Sequence, residues 1–245
     1  MDPELPNGVD ESPNPDGFDA QVSGIAALAE PVRRSLYRFV VSQPDAVSRD
    51  EAAAGVGVAR HVAKFHLDKL ADDGLLECEF RRPPGRGGPG AGRPAKFYRR
   101  SSRQLAVSLP ARQYEQAGRL LATAVTDAER RGVPVEDALA GAARRVGEGL
   151  GREARRRCGA TDRCPAMQAA MIEVLDEFGY EPRLDGDGVA LVNCPFDGLA
   201  KEFTDLVCGM NLYLMEGLVD GLGWEALRAR LDPGVDRCCV RLAEA

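Results

Sequence analysis

Four of the seven cysteines stand in the last quarter of the chain: Cys194 in "VNCPFDGLAKEF", Cys208 in "TDLVCGMN", and Cys238 and Cys239 in "DRCCVRL". Thiolates are soft donors that suit zinc, copper(I) or iron–sulfur clusters better than hard cations. The two histidines of the chain, His61 and His66, are far away in sequence, so the donor set is sulfur alone. Thirteen residues separate Cys194 from Cys208, and Cys238 is a further thirty on. That spacing fits neither the close pairs of a zinc ribbon or finger nor the tight ferredoxin run. A site of this kind must be assembled by the fold from three separate elements. Any one of these cysteines taken alone reads as a small buried hydrophobe; it is the set that points to a metal or cluster. Cys158 and Cys164 form a second, weaker C-x5-C candidate in the polar stretch "RCGATDRC", and Cys78 reads as core. Met210 and Met215, at helical spacing, read as core as well. A cysteine nucleophile needs a base, normally histidine. The C-terminal half has none, so an enzyme is not expected.

The N-terminal "MDPELPNGVDESPNPDGFD" has neither the basic start nor the apolar stretch of a signal peptide. No run of eighteen apolar residues exists for a membrane span. The expected location is cytoplasmic, where thiols stay reduced. The net charge of −6 hides a segregation. Pro31 to Arg103 carries 15 Lys and Arg against 8 Asp and Glu, whereas Met171 to the end carries 6 against 15. A basic front on an acidic back suggests nucleic acid at one end and a different task at the other.

The elements that must position these residues follow from periodicity and punctuation. Residues 1–18 read as a disordered tail. Pro31 opens a helix ending near Ser42. Ser48 and Glu51 form a capping box for a short helix that Gly57 stops. A third helix from Val58 turns Ala63, Leu67 and Leu70 inward until Gly74. "LLECEF" and "AKFYRR" alternate as strands around the Gly/Pro/Arg loop "RRPPGRGGPGAGRP". Three helices and a basic hairpin make a winged helix-turn-helix over residues 19–103. Its third helix is expected in the major groove of a double-stranded DNA operator, offering Arg60, His61, Lys64 and Phe65. Both histidines are expected on that DNA side. The wing would add Arg81, Arg82, Arg86, Arg93 and Lys96 for phosphates or the minor groove. Use of the fold to bind protein is the rival reading, which the basic wing tip disfavours. Two amphipathic helices follow over residues 104–157, with Tyr114, Ala117, Leu120, Leu121 and Ala124 as the first one's apolar stripe; they are expected to pair two chains into a homodimer. Residues 158–245 read as a small α+β domain: a helix, a hairpin turning at "DGDG", one helix from Leu199 to Val219, and a terminal strand "CCVRL". The expected fold is thus mostly α with α+β.

"HVAKFHLDKLADDGLLE" followed by "GRPAKFYRRS" resembles the ArsR/DeoR-like winged-helix repressors. "SLPARQYEQAGRLLA" and the pattern "NCPF…LVCGMN…EGL…LDP…RCCVRL" narrow the resemblance to SufR-type regulators, over roughly residues 20 to 243. That resemblance implies a repressor whose operator affinity is set by an iron–sulfur cluster, of 4Fe–4S or 2Fe–2S type, serving as a redox sensor. It implies Cys194, Cys208 and Cys238 or Cys239 as metal ligands. Leu222 stands in a region where the pattern carries a further cysteine, leaving Cys239, Asp197, Glu202 or a cysteine of "RCGATDRC" for a fourth ligand. The alternative is a winged-helix repressor that senses an organic effector or thiol redox state without a cluster.

Overall fold

The computed structural model describes residues 17–81, 94–159, 164–186, 188–235 and 237–244. The chain divides at Val107/Ser108 into two compact units. Each has its own apolar core.

The first unit contains α1 (Phe18–Ala27), α2 (Pro31–Val41), β1 (Val47–Ser48), α3 (Arg49–Val56), α4 (Arg60–Asp72), β2 (Leu76–Arg81) and β3 (Ala95–Arg100). Local signals set most boundaries. Pro31 is the first residue of α2, where its missing N–H costs nothing. Ser48 and Glu51 exchange both capping-box bonds, at 3.2 and 2.7 Å. Gly57 ends α3 at φ +73°, a left-handed conformation that suits glycine. Ala63, Leu67 and Leu70 of α4 are fully buried. Helix α4 begins at Arg60, two residues later than the expected Val58, with Ala59 extended as its N-cap. The wing strands pair antiparallel, with Cys78 opposite Tyr98. The two-residue β1 adds to β3, so the sheet order is β1-β3-β2. The tail assignment of 1–18 runs too far, because α1 starts at Phe18; residues 1–16 lie outside the described residues.

The second unit contains α5 (Tyr114–Arg131), α6 (Val135–Cys158), α7 (Cys164–Phe178), β4 (Pro182–Asp185), β5 (Gly188–Leu191), α8 (Asp197–Glu202), α9 (Thr204–Leu222), β6 (Leu227–Leu231) and β7 (Val240–Glu244). The antiparallel sheet has order β4-β5-β7-β6. Helices α6 and α9 pack with their backbones almost touching. A Cβ on Gly147 would lie 1.8 Å from the Leu214 carbonyl oxygen, and one on Gly151 2.2 Å from that of Leu218. From the other side, Gly217 and Gly221 meet the Arg144 and Glu148 carbonyls equally closely. The helices of 104–157 therefore do not stand apart from the sheet as a separate region: α6 is part of the same core as α9. The apolar stripe of α5 also shifts. Ala117, Leu120 and Ala124 are buried, while Tyr114 is exposed and Leu121 only partly covered.

Two further expectations are corrected. The helix expected from Leu199 to Val219 is two helices, because Phe203 leaves helical geometry at φ −126°, ψ 53°. The terminal strand starts at Val240, so Cys238 and Cys239 sit in the preceding loop; its partner β6 is marked by no strong alternation in the sequence.

Candidate metal centre and nucleic-acid interface

Four residues of α4 form one exposed strip: Arg60, His61, Lys64 and Phe65. They flank the buried Ala63–Leu67–Leu70 seam and group together because residues three and four apart on a helix are neighbours. Phe65 is 64% exposed, an apolar ring standing in solvent. Arg60 is paired with Asp50 of α3, and Lys64 lies 4.0 Å from Asp68. His66 departs from expectation. It sits about 140° around the helix from His61, half-buried, with Arg33 Nε donating to its Nδ1 at 3.5 Å and Glu30 Oε2 at 3.6 Å.

On the wing, Arg81 is exposed, ion-paired with Glu79 and 5.2 Å above the Phe97 ring. Lys96 points back to α4. Its Nζ donates to Asp68 at 2.6 Å, and Tyr98 Oη donates to the same carboxylate oxygen at 2.6 Å. Burial raises the Asp68 pKa, but these two donors outweigh it and hold it below its ordinary value. Lys96 thus ties wing to helix, a pairing no local pattern announces. Cys78 is half-buried beside Lys96, with burial as the main cause of its raised pKa. Arg82, Arg86 and Arg93 lie outside the described residues.

In the second unit the four C-terminal cysteines are electrostatic neighbours. Cys194 follows β5 at a turn pinned by Phe196, which is fully buried edge-on against Phe178, ring centroids 6.4 Å apart. Cys208 lies in the second turn of α9, and Cys238 and Cys239 in the β6–β7 loop. Neighbouring thiols perturb one another: Cys238 acts on Cys194, Cys239 on Cys238, and Cys239 on Cys208. The order of neighbours is therefore 194–238–239–208. Cys238 is buried, and the others are partly exposed. The Cys194 thiol lowers the pKa of Cys238, but the Cys239 thiol and burial push it up to about 12. Cys194 is raised by the Cys238 thiol and by burial. Cys208 is raised by burial. Burial and neighbouring thiols thus favour the protonated forms of Cys194, Cys208 and Cys238, and a ligating thiol must lose its proton to bind a metal.

N–H groups aim at these sulfurs. Asn211 Nδ2 donates to Cys238 Sγ at 3.0 Å, and Asn211 Oδ1 accepts from the buried Tyr180 Oη at 2.5 Å. The backbone N–H groups of Phe196 and Val240 act to lower the pKa of Cys194 and Cys238. Such donors stabilise charge on ligating sulfur and tune a cluster's potential. By donor type, four thiols suit an iron–sulfur cluster. Among the described residues no three His, Cys, Asp or Glu side chains are grouped so as to hold a metal ion. Of the other ligand candidates, Asp197 is ion-paired to Lys201 at 2.7 Å and Glu202 lies on exposed α8. Cys158 ends α6, half-buried against the core; the side chain of Cys164 lies outside the described residues. Leu222 is a fully buried core residue. Sequence reasoning missed Asn211, Tyr180 and Asp68, because only the fold brings them to their partners. No described helix is long and apolar enough to cross a membrane.

Residues 28–79 match the model of a helix-turn-helix domain family. The chain therefore carries a helix-turn-helix domain, the DNA-binding module of a transcriptional regulator. No curated protein matches the chain. Among solved structures, it is similar to human N-acetylserotonin methyltransferase in complex with SAM, at 18% identity and a TM-score of 0.24. The match covers 71% of this chain and 59% of the methyltransferase, so the chain spans under two thirds of that protein. The expectation that the chain is not an enzyme is withdrawn on this finding, since that similar structure is an enzyme's; a TM-score of 0.24 assigns no reaction to this chain.

Proposed function

We propose that this chain is a homodimeric, SufR-type transcriptional repressor whose hold on its operator is set by an iron–sulfur cluster bound by Cys194, Cys208, Cys238 and Cys239. The observation that carries the proposal is that four thiols from a turn, a helix and a loop are near enough to perturb one another in the order 194–238–239–208, with Asn211 donating to Cys238 Sγ at 3.0 Å. Cys239, which acts on both Cys238 and Cys208, completes the donor set. The bound cluster supplies an electron-accepting, oxygen-sensitive centre that crosslinks these three elements.

The rest of the reading rests on the chain's own residues. Asn211 and two backbone N–H groups orient and polarise the sulfurs. Tyr180 fixes Asn211. At the other end, Arg60, His61, Lys64 and Phe65 read the major groove of a double-stranded operator, and Arg81 adds a phosphate contact. A dimer sets two reading helices about one duplex turn apart.

Anaerobic purification with iron and sulfide analysis tests the centre. The wild type is expected brown with both elements present. Single Cys→Ser changes at 194, 208, 238 and 239 are expected to lose them, and the same changes at Cys78 and Cys158 to retain them. Gel shifts of both forms should show tighter binding by the loaded protein. A colourless wild type, or equal affinity of the two forms, refutes the reading.

A further inference from the structure

The chain leaves the winged-helix unit at Val107. Four residues later it is clamped to the turn that carries Cys194. Asn193, immediately before that cysteine and 7% exposed, is the hub. Its Nδ2 donates to the Ala111 carbonyl at 3.0 Å and to the Gly179 carbonyl at 2.5 Å. Its Oδ1 accepts from Arg112 Nη1 at 2.6 Å. Both amide hydrogens and the oxygen are thus used. The flipped amide would set donor against donor at Arg112 and oxygen against two carbonyls, so the network fixes its orientation.

The neighbouring residues repeat the pattern. Gln113 N donates to the Pro195 carbonyl at 2.9 Å, and Gln113 Nε2 to that of Phe178 at 3.3 Å. Gly198 N donates to Tyr114 Oη at 3.2 Å, and Arg112 Nη2 lies 3.8 Å from Asp197. Every residue from Ala111 to Tyr114 is bonded to the segment 193–198 or to the end of α7 behind it. The first residue of α5 is among them.

We propose that Asn193 and Arg112 are positioning residues that couple the cysteine centre to the DNA-binding unit. A shift of the Cys194 turn displaces Asn193 and Pro195. These move Ala111–Tyr114, because hydrogen bonds at 2.6 to 3.0 Å weaken steeply when stretched or bent. The moved segment is the chain's only covalent lead into the winged helix, so occupancy of the cysteines biases that unit's placement. This rests on the reading of the cysteines as ligands.

The test uses full-length wild type, Arg112→Ala and Asn193→Ala, each unloaded and each reconstituted anaerobically with ferrous iron and sulfide. The DNA probe is a duplex enriched from a random-sequence pool by the wild type. Arg112→Ala is expected to take up iron and sulfide as the wild type does. Its loaded-to-unloaded affinity ratio should fall to near one, from a wild-type ratio within the roughly 5–150-fold range of allosteric coupling. A full wild-type ratio in Arg112→Ala, with normal loading, overturns the proposal. If the wild type takes up no iron or sulfide, the ligand reading fails instead, and the coupling is read by hydrogen exchange on unloaded protein. Arg112→Ala should then raise exchange in 111–114 and 193–198 together by about tenfold or more, the scale of a lost charged hydrogen bond; a rise confined to one segment overturns the proposal. Arg112 keeps the test decisive should Asn193→Ala fail to fold.

Discussion

Gly151→Ala should destabilise the second unit, whereas Gly149→Ala, two residues earlier on the same helix, should stabilise it. At Gly149 nothing lies within 4 Å of a new Cβ. Alanine there gains helix propensity of about 1 kcal/mol. At Gly151 the new Cβ would fall 2.2 Å from the Leu218 carbonyl oxygen and 2.7 Å from Leu222 N. Carbon-to-oxygen contacts settle at about 3.3–3.6 Å, so α6 and α9 must part by roughly 1 Å. The atoms in the way are backbone and cannot rotate aside. The upper end of the overpacking range, about 3 kcal/mol, therefore applies. Less the propensity gain, Gly151→Ala is expected to lose about 2 kcal/mol, or about 4 to 8 °C of melting temperature for a unit of this size. The two substitutions should differ by about 3 kcal/mol and in sign. Helix α9 also carries Cys208 and Asn211, so iron uptake should fall in Gly151→Ala and persist in Gly149→Ala. Thermal melts of the unloaded proteins, with iron analysis, decide it. If Gly151→Ala matches or exceeds the stability gain of Gly149→Ala, the reasoning about the α6–α9 contact is wrong.

Asn211→Leu removes the donor to Cys238 and strands the buried Tyr180 hydroxyl, a loss of about 1–3 kcal/mol in urea unfolding; adding Tyr180→Phe should recover most of it. Asp50→Asn frees Arg60 from its partner and should tighten DNA binding, whereas Lys64→Ala should weaken it and lower the salt slope by about 0.9 for one lost phosphate contact; fluorescence titrations at several salt concentrations measure both. Asp68 is held below its ordinary value of 3.8. Its contribution is therefore present above that pH and lost as pH falls through the lower folded value. Acid melts should show the winged helix weakening below about pH 4, and Asp68→Asn should flatten that dependence.

Much of the first unit was legible because its signals are local. Pro31, the Ser48–Glu51 box, Gly57 and the Ala63–Leu67–Leu70 seam each act within one helical turn, and each stands where the sequence places it. The exposed strip of Arg60, His61, Lys64 and Phe65 follows from the same periodicity. His66 did not, because its surroundings are set by Glu30 and Arg33, more than thirty residues away. Lys96 did not either, because a lysine on a basic wing reads the same whether it faces phosphate or Asp68.

The chemistry of the last quarter of the chain was legible only as a donor type: four thiols and no histidine. That Cys194, Cys208, Cys238 and Cys239 come near enough to perturb one another was decided by the tertiary structure. Glycine contacts let α6 and α9 close to backbone distance, and β5 and β7 pair to bring Cys238 N onto the Leu191 carbonyl at 2.8 Å. Periodicity reports which face of an element is buried. It carries no term for which distant element covers that face, and the approach of these cysteines is entirely such a term.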